Sequence, residues 1–264
     1  MWVKKEMPIV KGYESSGDNV RAKRWLDFRL NELLDIDDPV LEYAHKLRTI
    51  KEIAEFVITQ VDYPLKFGKP TDKHYNNWFG GLCCHKITED FWQRASETLR
   101  TVNLNKKYGK KGFGDCEDTS ILFTTLMLQN DFNAYEIFGA VYRGDDLLGG
   151  HGFAIFEDEN GIWRLYESTL DIPPSYPDGY PKIDPQSNEW SVGDITYVGY
   201  IKFNRKEYYE WETEGISLGI DAYIDLSFKE KETRYKYEAL QYHWDLPVTP
   251  IVRTNWLSKL RWRR

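Results

Sequence analysis

The chain is 264 residues long, 41% hydrophobic, 16% aromatic and 29% charged, with a formal net charge of -7. This supplies enough length and apolar content for one large domain, or a domain with an extension, and excludes a chain disordered throughout. The acidic balance argues against nucleic acid as the main partner. Three cysteines, Cys83, Cys84 and Cys116, make no disulfide framework, so a reducing compartment is expected. Met1 to Pro8 contain no apolar leader core, and no stretch approaches the roughly 18 apolar residues of a membrane span. The expectation is a soluble, cytoplasmic protein engaging neither membrane nor nucleic acid. The aromatic content (10 Trp, 18 Tyr, 13 Phe) suits core packing by rings with one wet end, or a groove for extended polypeptide or sugar.

In chain order, residues 1–20 are polar, with Gly12, Ser15, Ser16 and Gly17, and are expected to be loose. Apolar residues at helical spacing predict helices over Arg21–Leu34 and Val40–Thr59. In the second, Leu41, Ala44, Leu47, Ile50, Ala54 and Val57 share a stripe, and Asp38-Pro39 reads as cap plus first helical residue. Val61–His85 is loop-like. A further helix opens at Ile87, with Thr88 as cap and Phe91, Ala95 and Leu99 spaced by four. Gly109–Gly114 breaks the chain before a segment from Cys116 that is apolar on almost every face, which predicts a buried central helix with the cysteine at its start.

Beyond it, Ala134–Tyr142 is strand-like, and Gly152–Glu157 and Ile162–Glu167 flank an Asn160-Gly161 hairpin turn. Pro173–Pro185 is a proline-rich excursion, and Ile195–Phe203 predicts another strand. Helices first and an antiparallel sheet second make an α+β fold. The expected organisation is one cysteine domain over 1–204, with N-terminal helices at 21–60 and its core from about residue 50, followed by an aromatic-rich extension over 205–264 packed on that core. The extension is expected to carry a helix around Phe228–Trp244 and a basic end, Lys259–Arg264, that is either solvated or docks on an acidic surface.

The chemistry concentrates in Gly114-Asp115-Cys116-Glu117-Asp118. A thiol at a helix N-terminus feels the positive end of the helix dipole, which favours thiolate. Asp115, Glu117 and Asp118 oppose it, so a cation must compensate: either protonated His151 or a divalent ion, with calcium suiting oxygen ligands. The same acids also read simply as helix caps. His151 opens a strand between Gly150 and Gly152, which allow close approach of backbone or substrate. Glu167 ends the next strand. A thiol, an imidazole and a carboxylate in this order can supply a nucleophile, a base and an orienting acid.

Together these residues resemble the transglutaminase-like cysteine superfamily, above all its bacterial and archaeal GDCED-type members, the transglutaminase-like cysteine proteinases. Trp92-Gln93-Arg94-Ala95-Ser96-Glu97-Thr98-Leu99 is similar to the Trp-Gln-x-Pro-x-Glu-Thr-Leu stretch that often precedes their cysteine. The resemblance covers about residues 50–170. It implies a papain/transglutaminase-like core, a central buried helix carrying the cysteine on an antiparallel sheet. By the same resemblance Cys116 corresponds to the nucleophile, His151 to the base and Glu167 to the orienting acid, where most members have aspartate in Trp-x-x-x-Asp-x-Thr; Asp171 is the fallback. Gln93 is implied as an oxyanion donor beside the Cys116 backbone N–H, and Trp92, Gly150 and Gly152 as substrate-lining. No cofactor is required, and the calcium dependence of some members makes Asp115, Glu117 and Asp118 candidate ligands.

The implied activity is peptidase or amidase chemistry, rather than cross-linking, on a protein or peptide through a thioester. The alternative is a binding or assembly protein that keeps this scaffold without turnover. Cys83-Cys84-His85 lacks the second ligand pair of a zinc site, and Gly109-x-x-Gly112-x-Gly114 lacks the Gly-Lys-Ser/Thr of a phosphate loop.

Overall fold

A computed structural model describes residues 1–11, 27–63, 92–227 and 240–241. In chain order the strands are β1 (Trp2–Lys5), β2 (Ile9–Val10), β3 (Phe28–Arg29), β4 (Val61–Asp62), β5 (Gly112–Phe113), β6 (Ala134–Arg143), β7 (Asp146–Glu157), β8 (Trp163–Tyr166), β9 (Glu189–Val192), β10 (Ile195–Phe203), β11 (Tyr208–Thr213) and β12 (Ile216–Leu218). The described α-helices are α1 (Asp38–Lys46), α2 (Ile50–Gln60), α3 (Ala95–Lys106), α4 (Cys116–Gln129) and α5 (Ile220–Ser227). This is an α+β fold. One eight-stranded sheet runs β1-β11-β10-β6-β7-β8, with β9 paired to β10 and β12 to β11, and every pairing in it is antiparallel.

The helix α4 is the centre of the core. Ile121, Leu122, Phe123, Leu126 and Met127 are fully buried, which is why its sequence carries no polar face. Phe123 stacks on Tyr166 of β8, with centroids 3.7 Å apart, and meets Phe156 of β7 edge-on. Burying each such side chain contributes on the order of 1.5–3 kcal/mol. Strand alternation turns Glu136 and Phe138 of β6, and Gly152 and Phe156 of β7, toward the helices, while His151 and Phe153 lie beside Tyr197 of β10.

Several local expectations are corrected. The N-terminal residues expected to be loose include a strand at 2–5, because Trp2 pairs with Trp211 and its Nε1 donates to the Ser187 carbonyl. The distant partner provides what local polarity does not. Leu30, Leu33 and Leu34, read as part of an α-helix, are the buried side of a single 3-10 turn following β3, and residues 21–26 lie outside the described residues. The helix expected over Val40–Thr59 is two helices. Thr49 caps the second, accepting from the Glu52 N–H at 3.2 Å while Glu52 accepts from the Thr49 N–H at 3.0 Å, and this capping box breaks a continuous apolar stripe. Asp37, rather than Asp38, occupies the cap of α1.

The expected start of a helix at Ile87 with its Thr88 cap, the Cys83-Cys84-His85 cluster, most of the helix at 228–244 and the basic end all fall outside the described residues. Residue 204 lies in the tight turn between β10 and β11, where the Asn204 N–H donates to the Glu207 carbonyl, and residues 208–218 continue the sheet. No helix among the described residues is long and apolar enough to cross a membrane.

Candidate active site

The approach to Cys116 is fixed before the helix begins. β5 pairs in parallel with β4, the Gly114 N–H donates to the Asp62 carbonyl, and the Phe113 N–H donates to Thr101 Oγ1 of α3 at 2.8 Å. Gly114 has no room for a side chain, since a Cβ there would sit 2.8 Å from Asp118 Cβ. Asp115 is the N-cap, accepting from the Asp118 N–H, and Asp118 returns the bond to the Asp115 N–H. The Asp118 carboxylate also accepts from the Gln93 backbone N–H (2.7 Å) and from Gln93 Nε2 (2.6 Å). The acidic motif is therefore in good part a capping device that ties the residues ahead of α3 to the first turn of α4.

His151 Nε2 lies 2.7 Å from Glu167 Oε2, with both side chains fully buried. Tyr197 donates to the same oxygen at 2.9 Å, and Thr169 donates to Oε1 through its N–H (2.9 Å) and its hydroxyl (2.7 Å). Burial pushes the Glu167 carboxyl up, but the positive charge that His151 carries when protonated, its hydrogen bond and the two Thr169 donors outweigh it and hold the group below the ordinary carboxylate range. An ionised carboxylate can only accept, so Nε2 carries the hydrogen. In neutral imidazole the lone pair is then on Nδ1, which is buried and has no hydrogen-bond partner.

Two contacts bring these halves together. A Cβ on Gly152 would meet Glu117 Cα at 2.8 Å, so β7 lies directly on the first turn of α4 beside His151. Thr119, one turn into α4, shares a 2.7 Å hydrogen bond with Ser168, the residue after Glu167. Pairing of β7 with β8 ends at Ala154–Tyr166, which leaves β7 without that neighbour at His151. The first turn of α4 thus touches a sequence neighbour of both His151 and Glu167.

The thiol has a carboxylate beside it. Cys116 is 2% exposed, and its Sγ donates to Glu117 Oε2 at 2.7 Å. Glu117 Oε1 in turn accepts from Tyr223 of α5. Beneath it Ser120 Oγ bridges the Cys116 carbonyl (2.7 Å) and Glu136 Oε1 (2.5 Å). Burial drives the Glu136 carboxyl well above its ordinary range, and Glu117 adds to the rise.

Other expected site residues are placed as follows. Trp92 is fully buried against Phe138 and Tyr223, and the Gln93 side-chain amide is held by Asp118. Gly150 and Gly152 are buried, with Gly152 serving the close helix–strand contact. The Asp171 N–H donates to Gln241 Oε1. Among the described residues the possible ligand atoms of Asp115, Cys116 and Glu117 lie within 4.8 Å of one another. The carboxylates of this set are oxygen donors and supply part of the about six to eight oxygens that calcium takes. Sequence reasoning missed Tyr197, Thr169, Tyr223 and Glu136. Glu136 left a signal, an acid at an inward position of an apolar strand, and Thr169 stands at the threonine of the Trp-x-x-x-Asp-x-Thr pattern.

No protein-family model and no curated protein matches the chain. Among solved structures it is similar to a "Putative Cysteine Protease from Cytophaga hutchinsonii", at 14% identity over 57% of this chain and 44% of that one, with a TM-score of 0.32. It is also similar to Legionella pneumophila LapG (EGTA-treated), at 14% identity over 72% and 84% of the two chains, with a TM-score of 0.38. The chain thus spans less than half the length of the Cytophaga protein. Both likenesses are weak.

Proposed function

We propose that this chain is a cysteine-dependent amide-processing enzyme, a peptidase or amidase of transglutaminase-like type acting on protein or peptide. Cys116 is the nucleophile, His151 the base and Glu167 the orienting acid. The observation that carries this reading is the buried His151–Glu167 pair, its free Nδ1 lone pair, and the first turn of α4 contacting a neighbour of each partner.

In the reaction, the thiol hydrogen leaves Glu117 and passes to Nδ1 of His151. The thiolate attacks the amide carbonyl, and main-chain N–H groups at the start of α4 stabilise the oxyanion, an effect of about 3 kcal/mol for a single donor. The imidazolium protonates the departing amine as the C–N bond breaks, leaving a thioester. Water then completes hydrolysis, or an amine completes transfer. Gln93 acts through Asp118 on the geometry of the cap.

The test is the pH dependence of iodoacetamide modification at Cys116, in wild type and in His151→Ala. An activated pair displaces the apparent thiol titration from the free value of about 8.5, and His151→Ala moves it back. Titration near the free value in both proteins removes the pair and the reading with it.

A second reading is favoured by the burial of both Cys116 and His151: a binding or assembly protein on the same scaffold. It predicts that Cys116→Ala retains binding and biological function while no substrate is turned over.

A further inference from the structure

The chain carries a formal net charge of -7, yet Lys106, Lys107, Lys110 and Lys111 crowd the turn where α3 ends and β5 begins, with no acid among them. The backbone of that turn holds itself. The Asn105 carbonyl accepts from the Tyr108 N–H at 2.8 Å and the Lys110 N–H at 3.1 Å, and the Lys106 carbonyl accepts from the Gly109 N–H at 3.1 Å. Gly109 supplies the left-handed conformation, φ 65°, that the reversal requires. A helix C-terminus favours a cation in its last turn, but these carbonyls already have donors, so the ammonium groups are not needed as caps. Lys106, Lys107 and Lys110 are exposed, and among the described residues Lys111 is the member of the run in an ion pair, 3.5 Å from Asp62. Tyr108 is 76% exposed and Leu104, four residues before it, 41%. Ammonium groups, a phenol ring and a leucine therefore share one preformed turn in water.

We propose that the α3–β5 turn is a docking surface for an acidic stretch of polypeptide, whose carboxylates meet Lys106, Lys107 and Lys110 and whose apolar side chains meet Tyr108 and Leu104. Charge complementarity selects this partner. The acids of the rest of the chain outweigh its cations, so an anionic segment is attracted to the turn and repelled elsewhere. A nucleic acid carries a charge at every phosphate and would meet the acidic remainder, whereas a polypeptide can confine a few carboxylates to the turn and offer side chains to the ring. Because main-chain hydrogen bonds fix the turn beforehand, little backbone order is lost on binding. Extended chain spans roughly 3.3–3.6 Å per residue, so the Cα atoms of Lys111 and Cys116 lie within about 18 Å of each other. A polypeptide docked here has the start of α4 within the reach of a few residues. The surface goes beyond the enzymatic reading, since it binds whether or not the bound polypeptide is cut.

The experiment is fluorescence anisotropy of a labelled peptide of repeated Asp-Glu-Leu titrated with the full chain at low and at physiological salt. Saturable binding that weakens as salt rises is expected, and a peptide of repeated Ser-Gln-Leu should not bind. Lys106→Glu, Lys107→Glu and Lys110→Glu combined should weaken binding about tenfold or more, the worth of several exposed ion pairs. Tyr108→Ala should weaken it about threefold through lost apolar contact. Lys5→Glu, Lys182→Glu and Lys206→Glu combined make the same change in net charge at exposed lysines elsewhere, and should leave the affinity at physiological salt within about twofold of wild type. Equal losses in the two triple variants, or no saturable binding of the acidic peptide, overturn the surface. An oligouridylate that binds more tightly than the acidic peptide, and loses that binding with Lys106, Lys107 and Lys110, assigns the turn to nucleic acid and overturns the polypeptide partner. Lysine-dependent peptide binding stands even where the titration of Cys116 removes the hydrolase, so the two readings fail separately.

Discussion

Glu167 and Glu136 are both fully buried in one sheet, one beside His151 and the other beneath α4, yet their affinities for a proton move in opposite directions. Desolvation pushes both up. Glu167 also meets an imidazole, two donors from Thr169 and the Tyr197 hydroxyl, and falls below the ordinary range. Glu136 meets only the hydroxyls of Ser120 and Thr124, and Glu117 repels its charge. Burial therefore sets the stakes, while the partners set the charge. Glu167 is held toward the anion and can orient an imidazole, whereas Glu136, whose proton affinity is raised by burial, holds the first turns of α4 onto β6.

The largest effect that would break this contrast is at Glu167. Replacing it with Ala leaves His151, Tyr197 and Thr169 facing an empty site, and breaking a buried pair of this kind costs about 3–5 kcal/mol. Urea unfolding measures it, and a loss of a few tenths would mean that the pair is not desolvated. Because the folded pKa of Glu167 lies below the unfolded value, its contribution is complete above about pH 4.5 and disappears as pH falls through the folded pKa. The gap between wild type and Glu167→Gln should thus be flat at neutral pH and close on acidification.

Next comes Tyr197→Phe, which deletes one donor to the Glu167 anion and should cost about 1.5–3 kcal/mol by the same unfolding measurement. Smallest is Glu136→Gln, which preserves shape and polar partners. Here the folded pKa lies above the unfolded one, so the native state binds the extra proton and wild-type stability declines as pH rises from about 4.5 toward the folded pKa. The variant lacks that slope. It should unfold near the wild-type midpoint at mildly acidic pH and gain on wild type as pH rises. A gap that narrows with pH would show that Glu136 is ionised after all.

Much of the framework was legible in sequence where the signal is local. The buried helix α4 follows from apolar residues on every face, and the bounds of β10 coincide with the apolar run Ile195–Phe203. β7 begins at Asp146, earlier than expected, because its opening glycines read as loop. The capping box at Thr49 was present in the sequence, but the stripe running through it concealed the break. In the site, the elements carrying Cys116, His151 and Glu167 could be read from motif and spacing. The engagement of the thiol by Glu117 could not, because Tyr223 holds that carboxylate across 106 residues and no local pattern links the two.

The pairing of β1 with β11 has a consequence for how the molecule is made. The Met1 amino group donates to the Glu212 carbonyl, 211 residues away in sequence. A contact of such separation is among the slowest to form, since β11 must be made before β1 can pair with it. Until then Tyr208–Trp211 present an unpaired edge, the kind of surface on which nascent chains associate. β1 closes that edge and becomes the new rim, carrying Lys4 and Lys5, whose exposed charges discourage a further strand from adding. β1 thus covers one edge of β11 and leaves a charged rim in its place.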